Sequence, residues 1–101
     1  MSASFNERLT ADRRLFLLQR LAEARARSMS SLTLMMWLRQ VGPCDHTEVT
    51  TQLHWLADRN LVRLEPVMTP GTEQYIATLT PHGADAAEGH VRVDGVTAVE
   101  R

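Results

Sequence analysis

Three residues, Gly42-Pro43-Cys44, separate two stretches of helical periodicity, and this short join limits the possible folds more than any other feature. Before it, Leu34, Leu38 and Val41 form one inward line, with Ser30 or Ser31 available as an N-cap. Gly42 followed by Pro43 stops that helix, because glycine serves a left-handed cap and proline cannot continue the hydrogen-bond ladder. After the join, Asp45 with Glu48 three residues on has the spacing of a capping box. Val49, Leu53 and Leu56 then share a face flanked by Trp55, and Asn60 and Leu61 close the segment. Two helices joined this tightly make a helix-turn-helix.

The flanks extend the pattern. From Ala11 to about Ala26, Leu15, Leu18, Leu21 and Ala22 recur at helical spacing, with Leu17 and Ala24 broadening the stripe. Past Asn60 the period drops to two: Leu61–Glu65 and Gln74–Leu79 read as strands around a Pro70-Gly71 turn. Thr80 then caps a short helix with Pro81 in its first turn, ending before Gly89. The fold class expected is α+β, mainly helical: a winged helix-turn-helix with a three-helix core, a two-stranded wing and a short C-terminal helix. Residues 1–10 are expected to be a flexible N-terminus, 11–89 the domain, and 90–101 an extended or frayed tail.

A chain of 101 residues with 44% apolar side chains can bury one core without disulfides or metal. Its single cysteine, Cys44, excludes an intramolecular disulfide and suits a reducing cytoplasm. No apolar run approaches the roughly 20 residues of a membrane span, and the polar first ten residues lack a signal-peptide core, so no membrane is expected as partner. Charge divides unevenly. Residues 1–44 carry seven arginines against three acids, a net of +4, and residues 45–101 four against nine, a net of −5. Attraction to phosphate is therefore expected from the first half.

With Val49, Leu53 and Leu56 inward, the third helix presents His46, Thr47, Thr50, Thr51 and His54, whose hydroxyls and imidazoles can meet phosphates or base edges. Arg13, Arg14, Arg25 and Arg27 are candidates for gripping phosphate, and Arg63 for the wing. Against this, no Arg or Asn lies early in that helix for a bidentate base contact. Glu48 and Asp58 add negative charge, and Pro66–Gln74 carries Glu73 and no basic residue. The polar set can equally be tolerated surface. Met29, Leu32, Met35, Met36 and Trp37 exceed what one helix face buries, which suggests a homodimer or protein-partner interface; the alternative is core packing. His46, His54, His82 and His90 lack metal-ligand spacing, no phosphate loop or carboxylate pair is present, and no enzyme activity, metal or cofactor is expected.

The run Val49-Thr-Thr-Gln-Leu-His-Trp-Leu-Ala-Asp-Arg-Asn-Leu-Val62, with Ile76-Ala-Thr-Leu-Thr-Pro-His-Gly83 and the closing Val93-Asp-Gly-Val96, resembles a known group. These are small winged-helix proteins encoded by Mu-like phages and prophages, often labelled arsenic-repressor-type regulators. The resemblance covers roughly residues 10 to 96, with Asp94 where proline is usual in the tail. It implies a winged helix and, by label, a DNA-binding transcriptional regulator acting on double-stranded DNA. The alternative is a winged-helix protein-interaction or phage assembly module that has lost groove chemistry.

Overall fold

Helix α1, Phe5–Glu23, begins where Ser4 caps it, the Ser4 Oγ accepting the Glu7 amide at 3.1 Å. The computed structural model describes residues 4–100. Of the ten residues expected to be flexible, 1–3 lie outside the described residues, and from Phe5 onward the chain is helical rather than starting at Ala11. At the other end the helix stops at Glu23, short of Ala26, because Ala24 turns extended. Ala26 and Arg27 then take left-handed φ values of 55° and 54°. That reversal feeds a short strand, β1, Ser28–Ser30.

Helix α2, Ser31–Arg39, is capped by Ser30, whose Oγ accepts the Thr33 amide at 3.2 Å. It ends two residues before Val41, which is 66% exposed instead of completing the inward line of Leu34 and Leu38. Helix α3, His46–Asp58, has the expected Asp45 cap, with Asp45 Oδ1 accepting the Glu48 amide at 2.8 Å. Asn60 closes it at φ 60°: its amide reaches Ala57 O and the Leu61 amide reaches Leu56 O, both at 3.0 Å.

Strands β2, Val62–Thr69, and β3, Thr72–Leu79, form the hairpin, turned by Pro70 and by Gly71 at φ 82°. Both run further toward the turn than the alternation predicts. Pro66 falls inside β2, but the strand order is β1-β3-β2, so β2 is an edge where a missing N–H is tolerated. The sheet has three strands instead of two, because β1 pairs antiparallel with β3 through Ser28↔Thr78, Met29↔Ala77 and Ser30↔Ile76. Helix α4, Pro81–Glu88, is capped by Thr80 and closed by Gly89 at φ 83°.

The core joins Leu17, Leu18 and Leu21 of α1 to Leu34 and Leu38 of α2 and to Val49, Leu53 and Leu56 of α3. Leu61, Val62, Ala77 and Leu79 line it from the hairpin, and Ala84, Ala86 and Ala87 from α4. Each fully buried leucine contributes about 1.5–3 kcal/mol relative to exposure. The segment after α4 is not frayed: Val96 is buried, Val91 and Val93 pack on the core, and the Thr97 amide donates to Ala11 O at 3.3 Å. The result is a winged helix with an added strand and a tail folded back on α1.

Candidate nucleic-acid interface

Burying Val49, Leu53 and Leu56 leaves Thr47, Thr51 and His54 exposed on the outer side of α3, with His46 and Thr50 half-buried. His46 is held by Ser31, a fully buried residue at the start of α2. The Ser31 Oγ lies 2.8 Å from His46 Nε2 and accepts the Tyr75 amide at 3.1 Å, tying α2, α3 and β3 at one hydroxyl. The His54 ring meets Tyr75 edge-on, centroids 5.0 Å apart at 83°. Tyr75 in turn donates its phenol to Glu73 Oε1 at 2.7 Å, and that bond holds the phenol above its usual pKa. The outcome is a polar cleft of about 410 Å³ between α3 and the wing, with Thr50, His54, Glu73 and Tyr75 on its walls. The Thr50 hydroxyl donates back to Thr47 O at 3.0 Å.

Tyr75 was not singled out from the sequence, Ser31 stood there only as a possible N-cap, and Glu73 only as the negative charge of the wing. The signal available was weak: a strand residue belongs to the α3 side only once the hairpin register is known.

The arginines are dispersed. Arg13 donates to Pro43 O at 2.8 Å and pairs with Glu48 at 3.3 Å, so it fastens α1 to the turn before α3. Arg14 donates to Gln52 Oε1 at 2.7 Å and Gly95 O at 3.0 Å, and its guanidinium lies 3.7 Å from the Trp55 ring centroid. Arg59 stacks on the same ring at 3.5 Å, and burial, followed by Arg59, lowers the Arg14 pKa. Arg25 and Arg27 stand exposed at the reversal before β1. Arg63 is exposed in a row with Thr78 and Ser28 across the sheet. Side chains alternate along a strand, so Thr78, and Arg63 with it, face away from the side on which Tyr75 meets His54.

Structure thus brings His46, Thr47, Thr50 and His54 together with the wing, keeps Thr51 on the same helix face, and sets Arg63 on the far side of the sheet. Of the apolar candidates, Met29 and Met35 pack against the core and Leu32 is half-buried. Met36 is 64% exposed, and Trp37, 37% exposed, carries the Arg20 guanidinium 4.3 Å from its ring centroid. Among the described residues no group of three His, Cys, Asp or Glu is arranged to hold a metal ion, and no helix is long and apolar enough to cross a membrane.

No family model matches the sequence. The chain is 37% identical over 92 residues to protein gp26 of Escherichia phage Mu, spanning 90% of this chain and 91% of that protein. Among solved structures it is similar to hsRosR-S1, in a complex structure, with a TM-score of 0.62 and 21% identity over 82% of this chain and 70% of that one. It is also similar to Bacillus subtilis PadR in complex with operator DNA, with a TM-score of 0.55 and 16% identity. That match spans 85% of this chain and 52% of PadR, about half its length. At such identities the two structures speak to the fold, which is the winged helix. The likeness to gp26 runs nearly end to end in both proteins, and the chain belongs to the family of that phage Mu protein.

Proposed function

We propose that this chain is a DNA-binding transcriptional regulator of phage or prophage origin, of the arsenic-repressor type, acting in the cytoplasm as a homodimer on double-stranded DNA. One observation carries the reading: α3 follows a short turn and turns a polar face outward beside a wing. On that face Thr47, Thr51 and His54, backed by His46 and Thr50, offer hydroxyls, methyls and imidazoles of a size that suits major-groove edges. Arg25 and Arg27 supply exposed cations for phosphate, while Arg13 and Arg14 serve by holding α1 to α3 and Arg63 lies on the sheet face turned away from α3. The likeness to PadR solved with operator DNA supports the same reading.

A gel shift in low salt with duplex DNA from upstream of the chain's own gene tests it. The expected result is retardation that weakens as salt rises and that Thr51→Ala combined with His54→Ala reduces. Absence of any retarded species overturns the proposal.

A second reading, a protein-interaction or phage assembly module, is favoured by the carboxylate of Glu73 on the wing side of the cleft and by the internal use of Arg13 and Arg14. It predicts a stable complex with a neighbouring phage product and no salt-dependent DNA binding.

A further inference from the structure

The wing carries no cation. From Leu64 to Thr80 there is no Arg, Lys or His, and the charged side chains are the carboxylates of Glu65 and Glu73. Glu65 stands opposite Ile76 in the hairpin, and Glu73 opposite Met68. Side chains alternate along a strand, so Glu73 and Met68 share the face of Tyr75, toward α3, and Glu65 takes the other face. Met68 is 95% exposed, more than any other large apolar side chain among the described residues. A Cβ at Gly71 would meet nothing within 4 Å, so the turn stands clear of the rest of the chain. Four residues separate Met68 from Leu64, which packs on the core, and the tip therefore reaches about 13 Å beyond it. With α3 in a major groove about 12 Å wide, that reach passes over the bordering sugar–phosphate strand to the neighbouring minor groove. The strand has room in the cleft walled by Thr47, Thr50 and His54.

A carboxylate at that place is repelled by phosphate. Along the minor groove, A·T and T·A pairs present acceptors alone, and the single donor is the 2-amino group of guanine. The Glu73 carboxylate is an acceptor and is held in position: its Oε1 accepts the Tyr75 phenol at 2.7 Å, which leaves Oε2 for a donor outside the chain. Tyr75 is itself fixed, by the His54 ring and by its amide bond to Ser31. We propose that Glu73 selects guanine through the minor groove, accepting the 2-amino group while Met68 beside it makes the apolar contact with the groove. The inference rests on the DNA-binding reading and names the base pair that the wing accepts. Selection works by exclusion, because at an A·T pair the carboxylate is desolvated against acceptors with no donor to meet it.

Recovery of duplexes from a random-sequence pool by the full chain, in low salt, tests the proposal. The recovered duplexes should share a G·C pair at one fixed position. Replacing that guanine by inosine removes the 2-amino group and leaves the major-groove edge unchanged; wild-type binding should weaken about tenfold. Glu73→Ala should bind the guanine and inosine duplexes alike, and Glu73→Gln, whose amide both donates and accepts, should take A·T and G·C pairs alike at that position. Recovered duplexes with no common G·C pair, or a wild-type chain indifferent to inosine, overturn this inference and leave the DNA-binding reading standing. So does a Glu73→Ala chain that keeps the inosine penalty. A wild-type chain that retains no duplex at all overturns both.

Discussion

A Cβ atom at Gly83 would fall 2.0 Å from the carbonyl oxygen of Leu61, so the first turn of α4 lies against the start of β2 at a distance that only glycine permits. Thr80 fastens the same junction. Its Oγ1 accepts the Gly83 amide at 2.9 Å and offers its one proton to the carbonyls of Asn60, at 2.7 Å, and Leu61, at 3.0 Å. The Leu79-Thr80-Pro81-His82-Gly83 return is therefore a clamp. It ties the residues that close α3 to the residues that open α4, and it sets how the hairpin leaves the helix.

Gly83→Ala tests the clamp because two effects oppose each other. Replacing glycine inside a helix by alanine ordinarily gains about 1 kcal/mol. Here the new methyl meets backbone that cannot swing aside, and overpacking of this kind costs about 1–3 kcal/mol. The clash should win, lowering the urea midpoint of unfolding. An unchanged or raised midpoint would show that the junction opens freely.

Thr80→Val keeps the shape and removes the hydroxyl. Loss of the cap and of the bond to the two carbonyls should cost about 1–2 kcal/mol in chemical denaturation. Thr80→Ser keeps the oxygen and should lose little; a stable Thr80→Val with a destabilised Thr80→Ser would point to the methyl instead.

The chain's single tyrosine makes the wing measurable by ultraviolet titration. The hydrogen bond to Glu73 raises the Tyr75 pKa, so the phenolate should appear later than the ordinary value of about 10. Glu73→Ala should move the midpoint back down. The folded state holds this proton more tightly than the unfolded one. Its contribution to stability is therefore whole below the ordinary value and disappears as pH rises through the raised one. A midpoint indifferent to Glu73→Ala would remove the wing-side hydrogen bond from this account.

Local signals were the legible part of the fold. The caps at Asp45 and Thr80 and the left-handed closure at Asn60 each depend on a few neighbouring residues and lie where the sequence places them. Ser30, not Ser31, caps α2, and that helix closes at Gln40 in right-handed geometry rather than at a left-handed Gly42. Ser4 and Glu7 also have a capping spacing, which apolar periodicity overlooks because the turns it opens bury nothing. Strand β1 has no local mark at all: Ser28, Met29 and Ser30 become a strand only because β3 offers an open edge in register. The tail is of the same kind. Gly95, at φ 91°, sits where a Cβ would come within 2.6 Å of the Trp55 ring, a contact spanning forty residues. In the candidate site, the α3 face followed from periodicity, whereas the engagement of Arg13 and Arg14 depended on packing between distant segments.

That engagement sets an expectation for DNA binding itself. Each phosphate neutralised contributes about −0.9 to the slope of log affinity against log salt. Were Arg13, Arg14, Arg25, Arg27 and Arg63 all to contact phosphate, the slope would be about −4.5 per protomer. Arg14 is stacked on Trp55 and bonded to Gln52 and Gly95, and Arg13 is bonded to Pro43 and Glu48, so neither reaches phosphate without breaking the fold's own contacts. Arg63 lies on the far side of the sheet, so Arg25 and Arg27 remain, and the slope should be about −1.8 per protomer. Arg14→Gln should then leave the slope alone while loosening the tail, seen as faster hydrogen exchange at the Thr97 amide that bonds Ala11. Arg27→Gln should flatten the slope by about 0.9 and leave exchange at Thr97 unchanged. The reverse pattern would place Arg14 on the nucleic acid and return α1 to the binding surface.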